Sequence, residues 1–382
     1  MSRVRYLRWR HMKAVGFIGW RGMVGSVLLD RMREEGDVAH LDSVFFTTSQ
    51  VGEAGPDVGA GSSALRDARD VSALSEMDIL VSCQGGEYTQ EMHTKLRDSG
   101  WDGYWVDAAS TLRMEESSVV VLDPVNRELI DRGLEIGVRD FIGGNCTVSL
   151  MLMGLQGLFD ANLVEWMTAM TYQSASGAGA RNMKELVMQM ASLGDVGRDL
   201  ASDPASAVLQ LDQLISQHLQ DDSFPIDQFG APLAASLIPW IDRKMSCGRT
   251  REEWKGMTET NRILGNEVDP IPIDGQCVRV GAMRCHSQAL TLKLKADLPV
   301  EELEEIIRGA NDWVKVIPND KEATLQHLTP AAVSGTMNIP VGRLRKTAIG
   351  PDVITAFTVG DQLLWGAAEP VRRMLMILLG VL

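Results

Sequence analysis

The residue best suited to covalent chemistry is Cys146, which follows a Gly-Gly-Asn turn at residues 143–145. The short stretch 138–142 is apolar enough to predict a strand end, and residues 148–159 predict a largely buried helix. N–H groups and the helix dipole at such a helix start favour a thiolate, and they could also hold the oxyanion of an attacked carbonyl. The alternative is an ordinary buried cysteine in a βα turn.

Two further candidates lie in the second half of the chain, where residues 277–286 predict one strand and residues 289–294 another. Strict alternation would send Arg279 and His286 to opposite faces. For both to serve one site, a bulge, a bend at Gly281 or a strand end must intervene. Otherwise, His286 is a hydrogen-bonded structural histidine.

Three basic or acidic residues complete the set of candidates. Arg113 follows the predicted strand 104–107 at its carboxyl end, where open α/β sheets bind ligands. It is either an anion clamp facing Cys146 or a solvated loop residue. Glu252 and Lys255 lie three positions apart in a predicted helix and can share one face.

The start of the chain predicts a dinucleotide-binding unit, with a buried strand at residues 13–19 followed by a glycine turn and a helix. Such a turn offers N–H groups to a pyrophosphate at the helix N-terminus. The spacing is GxxGxxG, not GxGxxG, and a tight turn without a ligand is the alternative. The glycines are Gly16, Gly19, Gly22 and Gly25.

The second predicted strand, residues 43–46, ends in Thr47, Thr48 and Ser49. An acidic residue near this position would hold the ribose of NAD and repel a 2′-phosphate. Hydroxyl groups here, with Arg21 on the glycine turn, favour NADP. If Arg21 points to solvent, the hydroxyls only cap the next turn and the two cofactors are equivalent.

These elements predict an α/β protein with a Rossmann-type dinucleotide-binding domain and an α+β catalytic and dimerisation domain. A long apolar C-terminal helix should return to the first domain. The expected segments are a disordered extension over 1–11, the NADP-binding domain over 12–145, the second domain over 146–357 and the C-terminal helix over 358–382.

Composition excludes several classes of function. The 382 residues carry 37 basic and 51 acidic side chains, a net charge of −14, which argues against nucleic-acid or anionic-membrane partners. Five scattered cysteines without a metal-binding spacing predict a reduced, cytoplasmic protein and no metal. No apolar run approaches the roughly 18 residues of a membrane span.

Together these motifs resemble the bacterial aspartate-β-semialdehyde dehydrogenases, from Met12 to about residue 378. The matching stretches are long and specific. They are VGFIGWRGMVGSVL (15–28), FFTTSQ (45–50), CQGGEYT (83–89), DAASTLRM (107–114), GGNCTVSLMLM (143–153), TYQSASGAGAR (171–181), REEWKG (251–256), CVRVGAMRCHSQA (277–289) and FTVGDQLLWGAAEP (357–370).

The resemblance implies a reversible NADP-dependent reaction through a cysteine acyl-thioester. In the biosynthetic direction β-aspartyl phosphate is reduced to L-aspartate β-semialdehyde and phosphate is released, a step towards lysine (through diaminopimelate), threonine and methionine. A neutral histidine can take the thiol proton, and its imidazolium can later protonate the departing oxygen. The resemblance also implies a homodimer.

The resemblance assigns a role to each candidate residue. The catalytic residues are Cys146 as nucleophile, His286 as acid and base, and Gln173 as the residue that orients the acyl group. The substrate residues are Arg279 for the α-carboxylate, Glu252 for the α-amino group, Arg113 and Lys255 for the phosphate, and again Gln173. The cofactor residues are Gly19, Arg21, Gly22, Met23, Val24, Thr48, Ser49, Gln84, Ser176, Gly177 and Gln362.

Two alternatives remain open. N-acetyl-γ-glutamyl-phosphate reductase shares the architecture and the cysteine–histidine chemistry, but its substrate has no free amino group to require Glu252. A catalytically silent NADP-binding regulator is a different class of answer. The intact set of Cys146, His286, Gln173 and Arg279 argues against it.

Overall fold

The computed structural model describes residues 12–58 and 63–382, and these residues form two compact units. The first unit contains the described residues up to Met153, together with Thr258–Pro270 and Leu363–Leu382. The second contains Gly154–Met257 and Ile271–Gln362. The extension expected over residues 1–11 lies outside the described residues.

A parallel sheet forms the centre of the first unit. Its strands are β1 (Lys13–Ile18), β2 (Leu41–Thr47), β3 (Arg66–Asp67), β4 (Ile79–Ser82), β5 (Tyr104–Asp107), β6 (Ser118–Val121) and β7 (Asp140–Gly143). The helices between them are α1 (Met23–Glu34), α2 (Val71–Ser75), α3 (Gly86–Asp98) and α4 (Asp123–Glu135), with a 3₁₀ turn at Asp37–His40. The strand order β3-β2-β1-β4-β5-β7-β6 reverses between β1 and β4, where such sheets bind ligands.

Glycines let the turn after β1 pack closely against its neighbours. Gly19 has φ +75°, and a Cβ atom there would lie 2.5 Å from the backbone of Cys83 and Gln84. A Cβ at Gly25 would lie 2.3 Å from the carbonyl oxygen of Gly19. Only glycine fits either position, as the dinucleotide-binding pattern requires.

The C-terminal helix returns to the first unit, which confirms the predicted fold class. A π-helical turn at Leu364–Ala368 leads into α12 (Glu369–Leu379), whose apolar face lies in the same core as β1, β5 and β7. Arg373 donates hydrogen bonds from its Nε and Nη2 atoms to the carboxylate of Asp123, at 2.7 to 2.9 Å. The helix was expected from residue 358, but residues up to Asp361 are held in a strand by their sheet partners.

The second unit is built on a mixed sheet. Its strands are β8 (Val164–Gln173), β9 (Leu237–Ile238), β10 (Ile273–Val280), β11 (Cys285–Leu294), β12 (Val314–Val316), β13 (Ile339–Lys346) and β14 (Val353–Asp361), in the order β12-β13-β14-β11-β8-β10-β9. Its helices are α6 (Ala180–Ser202), α7 (Val208–Leu219), α9 (Val300–Arg308), α10 (Lys321–His327) and α11 (Pro330–Val333), with a 3₁₀ turn at Ala175–Ala178. Two more helices, α5 (Cys146–Asp160) and α8 (Arg251–Leu264), each contribute residues to both units.

The single strand predicted over residues 277–286 is wrong. The chain forms two strands there, β10 and β11, which lie on opposite sides of β8. Because β10 is parallel to β8 and β11 is antiparallel to it, the connection between them crosses the end of β8. The strand end needed to bring Arg279 and His286 to one site is therefore present.

The predicted domain boundary at residue 145 also differs from the structure. The division falls inside α5, after Met153, and Thr258–Pro270 belongs to the first unit. The boundaries after Met153 and after Met257 lie inside continuous helices, which explains why no linker pattern marks them in the sequence. Among the described helices, none has both the length and the apolarity to cross a membrane.

Candidate active site

Cys146 is the first residue of α5, as its glycine turn predicts. Asn145 caps this helix, because its Oδ1 accepts hydrogen bonds from the backbone N–H groups of Thr147 (3.0 Å) and Val148 (3.2 Å). The Thr147 hydroxyl donates to the same oxygen at 2.6 Å. Two of the N–H groups expected to hold an oxyanion are thus taken by the cap.

A buried ion pair is hydrogen-bonded to the turn before Cys146. Glu259, on α8 and 2 % exposed, accepts a hydrogen bond from the Asn145 N–H at 2.7 Å and pairs with Arg113 at 3.3 Å. The Nε of Arg113 donates to the Gly143 carbonyl at 2.6 Å. The two charged side chains therefore hold both ends of the turn. Arg113 is buried against it, which excludes the solvated-loop alternative.

Three candidate residues of the second unit lie at the end of β8. Gln173, its last residue, pairs in register with Arg279 on β10, while β11 brings His286 along the other side. All three side chains are buried. Gly177 packs closely against two of them, since a Cβ there would lie 3.0 Å from both the Arg279 guanidinium and the His286 ring.

His286 is held by its Nδ1 atom. That nitrogen accepts a hydrogen bond from the backbone N–H of Ser174 at 3.0 Å, and the Ser174 hydroxyl lies at the same distance. The pKa of His286 is lowered to about 3, mainly by burial and also by the charge of Arg279, while Glu252 opposes the shift. The imidazole is therefore neutral at physiological pH.

Glu252 and Lys255 share one face of α8, as predicted, and they are ion-paired. The Lys255 ammonium donates to Glu252 at 2.8 Å and lies 3.4 Å from Asp242. Glu252 also accepts from the Gln173 amide at 3.3 Å. Glu252 and Lys255 therefore belong to the same cluster of side chains as Gln173 at the end of β8.

Glu259, Ser174 and the capping role of Asn145 were not anticipated from the sequence. Glu259 had a usable signal, because it follows Glu252 and Lys255 at the i+7 and i+4 positions of one helix face. Ser174 had none, since its contribution is a backbone N–H.

The residues expected to bind the cofactor also form groups within each unit. In the first unit, Arg21 donates to the Ser49 hydroxyl at 3.2 Å, so it does not simply point to solvent. Gly22 precedes α1, and no described side chain caps the N–H groups of its first turn, which begins at Met23 and Val24. The close packing of Gly19 against Gln84 leaves this turn room for a pyrophosphate at the N-terminus of α1.

In the second unit, Gln362 donates to the Ser176 hydroxyl at 2.8 Å, next to Gly177. Ser176 in turn donates to the Arg284 carbonyl at 3.3 Å. The remaining cofactor candidate, Thr48, belongs to the first unit and lies beside Ser49, just after the end of β2.

Two family models match the chain. The semialdehyde dehydrogenase NAD-binding domain matches residues 14–132, and the semialdehyde dehydrogenase dimerisation domain matches residues 155–365. The first range covers strands β1 to β6 of the parallel sheet, and the second covers every strand of the mixed sheet.

Solved structures match this chain over 96–97 % of its length. Aspartate semialdehyde dehydrogenase from Francisella tularensis is 49 % identical, with a TM-score of 0.91 over 96 % of this chain and 100 % of that one. Aspartate semialdehyde dehydrogenase II from Vibrio cholerae, complexed with ASA, is 22 % identical with a TM-score of 0.77 over 97 % and 99 %. The Candida albicans enzyme with NADP is 14 % identical with a TM-score of 0.66 over 97 % and 100 %, so these last two show the fold alone. Both domain models and near-complete coverage at 49 % identity establish that the chain belongs to the aspartate-semialdehyde dehydrogenase family.

Proposed function

We propose that this protein is an NADP-dependent aspartate-semialdehyde dehydrogenase that reversibly reduces β-aspartyl phosphate to L-aspartate β-semialdehyde. The observation that supports this most directly is the pairing of a buried arginine and a buried glutamate around Gln173. Arg279 lies beside Gln173 in the sheet, and Glu252 accepts a hydrogen bond from its amide at 3.3 Å. A substrate with both an α-carboxylate and an α-amino group requires one partner of each charge.

In the proposed reaction, the Cys146 thiolate attacks the acyl carbon and phosphate leaves, which forms a thioester. Arg279 and Glu252 hold the two charged groups of the amino acid, and Gln173 orients the acyl group. Arg113 and Lys255 hold the phosphate. When bound, the reduced nicotinamide supplies the hydride that converts the thioester to the aldehyde.

An assay with aspartate semialdehyde, NADP and phosphate tests this substrate assignment. N-acetylglutamate semialdehyde is the comparison substrate, because its acetylated nitrogen carries no charge for Glu252 to bind. We expect turnover with aspartate semialdehyde to exceed turnover with the acetylated compound by at least about 10²-fold, since only the free ammonium group can make a charge-assisted hydrogen bond to Glu252. The reverse preference would identify the protein as an N-acetyl-γ-glutamyl-phosphate reductase.

Substitution of Arg113 or Lys255 should affect phosphate binding more than the chemical step. Replacing Arg113 or Lys255 with leucine should raise the KM for phosphate more than it lowers kcat, because each loses a charge-assisted contact to the anion. His286→Asn should lower kcat and have little effect on the KM for phosphate. Steady-state kinetics with varied phosphate measures both constants. A large loss of phosphate affinity in His286→Asn, with Arg113→Leu unaffected, would overturn this division.

The cofactor preference should follow from the end of β2. We expect kcat/KM with NADP to exceed that with NAD by at least about tenfold, about 1.4 kcal/mol, because Arg21 and the hydroxyls of Thr48 and Ser49 can bind a 2′-phosphate. Thr48→Asp or Ser49→Asp should reduce or reverse the preference, since a carboxylate repels that phosphate. Equal efficiency of the unmodified enzyme with both cofactors contradicts this assignment.

We also propose that the enzyme is a homodimer. One face of β8 exposes large apolar side chains, including Met170, 37 % exposed, and Tyr172, which stacks on Phe357 with ring centroids 6.4 Å apart. The match to a dimerisation domain over the same strands supports burial of this face in a second copy. Analytical ultracentrifugation that finds a monomer at micromolar concentration would exclude the homodimer.

The proposed reaction has a cytoplasmic setting in lysine, diaminopimelate, threonine and methionine biosynthesis. All five cysteines lie in the described residues and none is in a disulfide, as expected in a reducing compartment. Expression of the protein should restore growth of a strain that lacks aspartate-semialdehyde dehydrogenase and requires these amino acids. Failure of a well-expressed protein to restore growth would count against this role.

A further inference from the structure

We propose that Asp361 is a positioning residue for the cofactor, because its buried ion pair with Arg284 fixes the hydrogen bonds that hold Ser176 and Gln362 in place. Asp361 is the last residue of β14, and Arg284 comes directly before β11. This role rests on the proposed function, in which Ser176 and Gln362 are among the residues that bind NADP.

The carboxylate of Asp361 is fully buried and paired with an opposite charge. Its side chain is 0 % exposed, and it lies 2.5 Å from the Nε atom of Arg284. It also accepts a hydrogen bond at 2.7 Å from the backbone N–H of Gly335, just after α11. Because a buried carboxylate is costly unless it is paired and hydrogen-bonded, these contacts restrict where the Arg284 side chain can lie.

The ion pair lies where two neighbouring strands end. Cys285, the first residue of β11, is the register partner of Asp361, so the antiparallel ladder stops at this pair. Arg284 and Gln362 are the next residues on the two strands, and the Gln362 N–H donates to the Arg284 carbonyl at 3.4 Å. The ion pair therefore holds Arg284 and Gln362 together beyond the end of the ladder.

Ser176 is hydrogen-bonded to both of these residues. Its hydroxyl donates to the Arg284 carbonyl at 3.3 Å and accepts from the Gln362 side-chain amide at 2.8 Å. Arg284 thus binds Asp361 through its side chain and Ser176 through its carbonyl. Loss of the ion pair should therefore displace the Ser176 hydroxyl and the Gln362 amide together.

Ser176 also lies close to His286. The hydroxyls of Ser174 and Ser176 are 3.0 Å apart, and the Ser174 N–H donates to the His286 ring at 3.0 Å. Gly177, the residue after Ser176, packs against the same ring. Because hydride transfer depends on close alignment of the reacting groups, a shift at Ser176 should affect both NADP binding and turnover.

Asp361→Asn separates this positioning role from a purely structural one. The asparagine keeps an oxygen that can accept from the Gly335 N–H, but it loses the charge that pairs with Arg284. The Arg284 side chain is 29 % exposed, so its guanidinium can turn to water and we expect the variant to fold. Circular dichroism and thermal unfolding check the fold.

Asp352→Asn is the matched control. Asp352 comes directly before β14 and pairs with Lys293 of β11, so this ion pair joins the same two strands at their opposite end. Its loss tests the effect of removing an ion pair between these strands away from Ser176 and Gln362.

Isothermal titration calorimetry with NADP alone measures the effect without any turnover. We expect Asp361→Asn to weaken NADP binding by at least about tenfold, because contacts from two side chains are displaced. Asp352→Asn should bind NADP as the unmodified protein does. Equal affinity of folded Asp361→Asn and the unmodified protein would overturn the proposal.

Arg284→Lys keeps the test decisive if Asp361→Asn does not fold. The lysine retains a positive charge for Asp361 but loses the planar guanidinium, so NADP binding should weaken by at least about threefold. Unchanged affinity in Arg284→Lys would then overturn the proposal.

Steady-state kinetics distinguish positioning from general damage to the enzyme. In Asp361→Asn, the KM for NADP should rise by at least about tenfold while the KM for phosphate changes by less than about twofold, because Arg113 and Lys255 lie on other elements. A parallel rise in both constants would contradict the positioning role. An unmodified protein that binds NADP but is inactive on aspartate semialdehyde would refute the proposed function instead, while calorimetry would still test the role of Asp361.

Discussion

Cys146→Ser is expected to keep the fold and cofactor binding and to lose turnover by about 10³-fold or more. A hydroxyl is slightly smaller than the thiol and fits the same space, but at neutral pH it is far less ionised and a poorer nucleophile. Cys146→Ala should in addition abolish covalent labelling by an acyl substrate. Circular dichroism, NADP binding and steady-state turnover measure the three properties.

Cys247→Ser is the matched control for this prediction. Cys247 is exposed and lies outside both groups of site residues, so its replacement should leave turnover and labelling unchanged. If Cys146→Ala still acquires the mass of a substrate adduct, the nucleophile is another residue and the assignment fails.

Glu259→Ala should lower the free energy of unfolding of the first unit by about 3–5 kcal/mol. The alanine leaves Arg113 as a buried, uncompensated charge, and removing one partner of a buried ion pair costs about that much. It also removes the acceptor of the Asn145 N–H. Glu259→Gln retains an acceptor for that N–H and should lose less. Urea denaturation followed by fluorescence measures both variants.

Glu267→Gln provides the control, because Glu267 pairs with Arg262 at the surface of the same unit and is 57 % exposed. Surface pairs contribute about 0–1 kcal/mol, so this variant should unfold almost as the unmodified protein does. Similar losses in Glu259→Ala and Glu267→Gln would show that Glu259 does not support the nucleophile turn.

Local patterns predicted the first unit well. The strand, glycine turn and helix at the start of the chain and the helix beginning at Cys146 depend on residues close in sequence. The same reasoning failed for residues 277–286. Their apolar alternation is compatible with one strand, and only pairing on both sides of β8 shows that there are two.

The sequence likewise predicted some contributions to the site and missed others. Side chains with reactive groups can be recognised by type, whereas contributions made through the backbone or across long separations cannot. The Ser174 N–H reaches His286 from 112 positions away, and Glu259 reaches Asn145 from 114 positions away. Such contacts depend on the tertiary fold, and no local spacing encodes them.

Intact-mass measurement after mixing shows whether catalysis passes through an acyl-thioester on Cys146. With aspartate semialdehyde and NADP but without phosphate, we expect one aspartyl adduct per chain, located on Cys146, together with one equivalent of NADPH. Added phosphate should discharge the adduct. NADPH formation without an adduct, or an adduct on another residue that phosphate discharges, would exclude the acyl-thioester on Cys146.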